Sequence, residues 1–191
     1  FEAGANTKPK AEMLHDFEAG IERKNKKTEW SIGFYYMLYR NQLVLTGKIN
    51  DVGAYTRTNI PHSYRAGIEM QGGHIFNKWL SVSGNISFSE NKIKNFTEYL
   101  DDYDNGGQQT KFYKNTDIAF SPAAVGAASI NIFPAKNTEI SISGKYVGRQ
   151  YLDNTSQRSR SLKDYYVQDL RVSYEFGHRN FKSLLVFVKA N

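Results

Sequence analysis

The run Ser63-Tyr64-Arg65-Ala66-Gly67-Ile68-Glu69-Met70, continuing through Ile75-Phe76-Asn77-Lys78-Trp79 to Ser87-Phe88-Ser89, reads as two strands joined by a tight turn. After the turn the alternation is strict. Leu80, Val82, Gly84, Ile86 and Phe88 fall on one face, and Ser81, Ser83, Asn85, Ser87 and Ser89 on the other. Successive strand side chains point to opposite faces, so this pattern describes a strand between two different environments. A half-buried sheet of a globular domain satisfies it. So does the wall of a membrane barrel, apolar toward lipid and polar toward a wet lumen.

Working outward, the same period marks further strands. Phe17, Ala19 and Ile21 oppose Asp16, Glu18, Gly20 and Glu22. Trp30, Ile32, Phe34, Tyr36 and Leu38 oppose Ser31, Gly33, Tyr35, Met37 and Tyr39. Strands are expected at about 14–23, 29–45, 63–76, 79–90, 117–133, 139–151, 164–176 and from 181 onward. Pro122 inside the fifth requires an irregular or edge-like point. The pattern holds eight strands and no convincing helix. The intervening connections alternate short and long, with long loops at 46–62, 91–116 and 152–163. Membrane barrels sort their connections this way, with short turns on one side and longer loops on the other.

Each short turn also has an aromatic beside it. Trp30 follows the first, Phe76 and Trp79 flank the second, Phe133 precedes the third, and Phe176 and Phe181 bracket the fourth. Rings at one level fit an interfacial girdle. The expected strands are also long enough to cross a bilayer, which takes about 9–11 tilted residues. The alternative is a soluble β-sandwich ligand-binding module of carbohydrate type, whose apolar face packs inward.

Composition narrows the rest. The 191 residues include 13 Tyr, 12 Phe and 2 Trp and no Cys, so there is no disulfide framework or thiolate metal site. Mean hydropathy is −0.59. The net charge of +6 collects in turns such as Lys24-Asn25-Lys26-Lys27, not in the aromatic-interleaved patch that nucleic-acid binding needs. No nucleic-acid partner, metal or cofactor is expected. The chain opens Phe1-Glu2-Ala3-Gly4 and ends within the strand-like run Leu184-Leu185-Val186-Phe187-Val188, and it reads as an internal piece of a longer protein.

Enzyme chemistry finds no purchase. His15, His62, His74 and His178 are scattered, and no nucleophile elbow or phosphate loop is present. In Asp101-Asp102-Tyr103-Asp104-Asn105-Gly106 the carboxylates are misplaced for a calcium loop. Candidate solute contacts are therefore of two kinds: loop groups Tyr99, Tyr103, Tyr113 and Arg158, and lumen-facing groups Arg65, Glu69, Gln71, Lys145 and Arg149.

Four stretches carry a resemblance. Pro9-Lys10-Ala11-Glu12 before Asp16-Phe17-Glu18-Ala19-Gly20 resembles the loop-to-strand motif of TonB-dependent outer-membrane receptors. Phe34-Tyr35-Tyr36-Met37-Leu38-Tyr39-Arg40-Asn41-Gln42-Leu43 is similar to the aromatic strand that follows it there. Asn59 leading into Arg65-Ala66-Gly67-Ile68-Glu69 resembles the family's asparagine and arginine-x-glycine-x-glutamate. Gly144-Lys145-Tyr146-Val147-Gly148-Arg149-Gln150-Tyr151 resembles its late strand.

The resemblance implies a run of about eight consecutive strands from a barrel of about 22, with the plug domain and the terminal strand outside this chain. It implies a Gram-negative outer-membrane receptor, iron-complex type, that binds a scarce nutrient (iron chelate, haem, cobalamin or glycan) and imports it with TonB-transmitted energy. Implied partners are outer-membrane lipid, the TonB complex through the missing N-terminal part, the small-molecule or oligomeric nutrient, and in some members a surface lipoprotein.

Overall fold

The computed structural model describes residues 9–49, 53, 55–102, 104, 107–178 and 181–190. Nearly all of them lie in antiparallel strands: β1 Met13–Lys24, β2 Thr28–Ile49, β3 Tyr55–Asn77, β4 Leu80–Asp102, β5 Gly107–Asp117, β6 Ala124–Ile132, β7 Thr138–Val147, β8 Gln150–Tyr151, β9 Ser161–Leu162, β10 Tyr165–His178 and β11 Phe181–Ala190. A 3-10 turn at Arg158–Arg160 is the one helical element among the described residues. Nine strands form a single open sheet in the order β1-β2-β3-β4-β6-β7-β10-β11, with β5 paired to β4 above the others.

The register explains the two faces. One row across the sheet reads Ile21, Ile32, Met70, Ile86, Gly126, Tyr146 and Tyr166. A second reads Leu80, Ile132, Ile140, Val172 and Val188. The rows between them project the other way, as in Glu22, Ser31, Gln71, Asn85, Ala127 and Lys145. The apolar face is not covered by a second layer: Phe17, Ile21, Phe34, Ile68, Phe88 and Val188 are all exposed. The sandwich alternative needs a second packed sheet here. Among the described residues the one further pairing is the two-residue ladder of β8 with β9.

The first three short turns fall where expected, and the fourth, at 177–180, lies partly outside the described residues. In the first, the Asn25 side-chain oxygen accepts from the N–H groups of Lys27 and Thr28 at 2.9 and 2.8 Å, closing the chain without a longer loop.

The long connections differ from the expectation. Most of 46–62 and 91–116 is strand: β2 and β3 continue upward as one hairpin, and β4 runs on to Asp102 and returns as β5. The fifth expected strand is broken, since β5 ends at Asp117 and β6 begins at Ala124, with Pro122 in the gap. At this gap β4 changes partner, from β6 (Phe88 opposite Ala124) to β5 (Lys92 opposite Asp117).

The upper hairpins enclose the chain's small apolar core of Val44, Ile60, Ile93, Phe96 and Ile118, with Tyr113 packed against it. Gly47 permits the closest approach. Its φ is +81°, and a Cβ there would stand 2.3 Å from the Tyr99 carbonyl oxygen.

Candidate functional site

Two regions concentrate polar chemistry: the polar face of the sheet, and the canopy of upper hairpins above it.

On the polar face a depression of about 650 Å³ is lined by Glu18, Tyr35, Met37, Arg65, Glu69, Ser89, Asn91, Phe120 and Ser121, among others. The pleat brings Glu18, Tyr35, Arg65 and Glu69 to this face from β1, β2 and β3. Gly67 makes room for Tyr35. A Cβ at Gly67 would lie 2.5 Å from the Tyr35 ring and 2.7 Å from the Phe88 carbonyl oxygen. The Arg65 guanidinium donates from Nη1 to Asn91 Oδ1 at 3.2 Å and Ser121 Oγ at 2.9 Å, tying the wall to the 118–123 break. A second depression, of about 410 Å³, lies nearer the short turns and includes Glu22, Glu29, Ser31, Gln71 and Asn85. Lys145 lies on this same face, opposite Ala127 and Val167. Arg149 lies just past the end of β7 and donates to Ser161 Oγ at 2.8 Å.

In the canopy, Arg160 donates to Glu98 and, at 2.9 Å, to Asp153 Oδ2. Glu98 is nearly buried, and its other oxygen accepts from Tyr113 Oη at 2.8 Å. Gln157 Nε2 donates to the same hydroxyl at 2.7 Å. Asn154 accepts from Ala119 N–H at 2.8 Å and donates to the Leu45 carbonyl at 3.3 Å. The 148–164 connection is thereby fastened to both hairpins.

The hydrogen bonds it donates to Glu98 first and Asp153 second hold the Arg160 guanidinium above its ordinary pKa. Burial pushes the Asp153 carboxyl up, but the hydrogen bonds from Thr155 Oγ1, Arg160 and Thr155 N–H outweigh it, so Asp153 sits below the usual carboxylate range.

Of the loop candidates, Tyr99 lies in β4 with Lys48 Nζ 5.7 Å from its ring centre. The Tyr113 hydroxyl is engaged within the canopy, and Lys111 stands 5.3 Å from its ring. Arg158 is exposed on the 3-10 turn. Tyr103 lies outside the described residues. Of the turn-end aromatics, Phe76, Trp79, Phe133 and Phe176 are exposed and Trp30 is half-buried. Phe133 N–H donates to the Trp79 carbonyl at 2.9 Å, placing those two side by side. The side chain of Phe181 lies outside the described set.

Sequence reasoning missed Glu98, Asp153, Gln157 and Phe120. Single polar or aromatic residues in a polar stretch carry no period, and only the folded chain shows what they meet. Asn59, met above as part of a motif, gains a mechanism. Its amide bonds both N–H (2.7 Å) and C=O (3.0 Å) of Lys10 and the Asn41 carbonyl (2.5 Å), pinning the segment before β1 to the wall.

The family described as TonB dependent receptor-like, beta-barrel matches residues 2–191. The chain belongs to this family. No curated protein sequence matches it. Among solved structures, the copper transporter OprC superposes with a TM-score of 0.67 at 12% identity, over 92% of this chain and 26% of that one. The FrpB iron transporter from Neisseria meningitidis gives 0.58 at 15% identity, covering 90% and 25%. A mutant of the ferric enterobactin receptor PfeA from Pseudomonas aeruginosa gives 0.57 at 15%, covering 86% and 24%. These likenesses show the fold. This TonB-dependent receptor-like chain spans about a quarter of the length of those structures.

Proposed function

We propose that this chain is part of the barrel wall of an outer-membrane receptor that binds a scarce nutrient outside the cell and imports it with TonB-transmitted energy. The observation that carries the reading is the sheet itself. An exposed apolar face over the lower strands, backed by a polar face, suits lipid on one side and a wet lumen on the other. In water such a face is a large exposed apolar patch and a liability for a soluble protein. The edges β1 and β11 leave the sheet open, and further strands of the same barrel would complete it.

In this reading the aromatics and lysines at the short turns meet lipid headgroups, and the canopy faces outward. Tyr99, Tyr113 and Arg158 contact the solute from the canopy, and Tyr103 is a further candidate contact from the sequence. Arg65, Glu69, Gln71 and Lys145 line the lumen. Arg149 belongs with the canopy. An iron complex is the solute class we favour, because two of the structural neighbours carry iron in their names.

The test is fractionation of cells that express the full-length polypeptide, with intact-mass measurement of the detergent-extracted species. We expect an outer-membrane protein several times the mass of this chain that resists extraction without detergent. A soluble, detergent-independent species of about this chain's size would overturn the proposal.

A further inference from the structure

Five non-glycine residues among those described have positive φ: Asn41, Asn115, Phe120, Asn137 and Ser156. Asparagine and serine have short polar side chains that bond locally, and asparagine in particular tolerates this region. Phe120, at φ +53°, has no such excuse. A bulky residue there is a genuine outlier, and such outliers persist only where the surroundings over-determine them.

The surroundings do so here. In the break between β5 and β6, Ile118 N–H bonds the Asn91 carbonyl at 3.0 Å and Phe120 N–H bonds the Tyr151 carbonyl at 2.9 Å. Ala119 N–H bonds Asn154 Oδ1 at 2.8 Å, Ser121 Oγ receives Arg65, and the Pro122 carbonyl receives Ser89 Oγ at 3.1 Å. Six consecutive positions separate the two strands, and those contacts fix the backbone from the wall on one side and the 148–164 connection on the other.

The product of this arrangement is a ring in the open. Within this chain Phe120 is 63% exposed, so it contributes little to the packing of the sheet and canopy described above. It lines the same depression as Tyr35, Met37, Arg65, Glu18 and Glu69, on the polar face of the sheet. A segment that needed only to connect two strands would do better with glycine or asparagine at this point and would gain nothing from an unburied ring.

We propose that Phe120 is a specificity-determining residue of the solute path, held out over the polar face to stack against a flat apolar or aromatic group of the solute. Tyr35 and Met37 supply further apolar surface in the same depression, while Arg65 and the two carboxylates leave the polar groups of the solute a place to bond. This assignment rests on the transport reading above.

The test uses the full-length receptor in a Gram-negative strain lacking its own iron receptors. Uptake of radiolabelled iron is followed from two ring-bearing probes, ferric dihydroxybenzoate and haem, and from ring-free ferric citrate. Wild type should take up at least one ring-bearing probe. Phe120→Gly should lower that uptake about tenfold or more, the scale of one lost apolar contact in a pocket, while Phe120→Trp stays within about threefold. The thermal midpoint of Phe120→Gly should be unchanged or raised, because glycine accepts the positive φ.

Uptake of the ring-bearing probe within about twofold of wild type in Phe120→Gly overturns the assignment. So does an equal loss for all probes with a lowered midpoint, which marks a structural role. Outer-membrane receptor that takes up neither ring-bearing probe overturns it too, and leaves the transport reading standing. A chain absent from the outer membrane overturns both.

Discussion

Ile86 and Ser87 are neighbours in β4 on opposite faces, and replacing each by lysine separates a lipid-facing wall from a watery one. Ile86 sits in the row Ile32, Met70, Ile86, Gly126, and Ser87 lies between Glu69 and Val125. At about 3.3 Å rise per residue and about 40° tilt, Ile86 stands about 15 Å above Leu80 along the barrel normal, close to mid-bilayer. A lysine on the lipid face at that depth costs about 2–4 kcal/mol, or about 30- to 900-fold in the folding equilibrium. Ser87→Lys keeps its charge on the wetted face, beside Glu69, and should fall within about 0.5 kcal/mol of wild type. The assay is urea unfolding of the full-length receptor in bilayers, followed by loss of the folded-barrel mobility shift. If Ile86→Lys proves no worse than Ser87→Lys, the apolar face does not meet lipid, and the assignment of the two faces fails.

Three further outcomes follow from the same structure. Gly67→Ala should destabilise by about 1–3 kcal/mol through overpacking; adding Tyr35→Ala should recover only part, since the Phe88 carbonyl remains 2.7 Å from the new Cβ, and paired unfolding curves would show it. Arg160→Ala should leave Glu98 nearly buried without its cation while Tyr113 still donates to it; with Arg160 partly exposed, the loss is discounted to about 1–2 kcal/mol and should appear as faster hydrogen exchange in 148–164 with the wall unchanged. Asp153 is depressed in the folded state, so its contribution is complete above its unfolded pKa, about 3.9, and lost as pH falls through its lower folded value. Exchange in 148–164 should accordingly be flat from pH 8 to pH 5 after correction for intrinsic rates and rise only below about pH 4; a rise centred near pH 6 would refute this.

The wall was legible because its physics repeats every second residue. From Leu80 to Phe88 each outward position is apolar or glycine and each inward one small and polar, and the register confirms that division across the sheet. The short turns were legible for a similar reason, with Asn25 closing its turn by its own side chain.

The canopy was not. Gly107–Asp117, reading Gly-Gln-Gln-Thr-Lys-Phe-Tyr-Lys-Asn-Thr-Asp, is a strand held by its ladder to β4, yet most of it meets water on both faces and shows no period. Its buried contacts come singly: Val44, Ile60, Ile93, Phe96 and Ile118 belong to four segments and converge only after folding. Residues 46–62 look like a loop because Gly47, Asn50, Asp51, Gly53 and Pro61 are all turn formers. Phe120 gives no signal at all in the sequence, because its meaning lies in a backbone angle.

The partner change in β4 bears on how such proteins diversify. Below Phe88 this strand is clamped between β3 and β6, where a slip of a single residue would turn Ile86 and Phe88 inward and bring Ser87 outward. Above Ile93 its ladder partner among the described residues is β5 alone. Residues added in pairs beyond Asp102 would lengthen the arm while every wall contact stays in place. The strand acts as a fixed post with an adjustable top, whose length can vary without renegotiating the register of the sheet below.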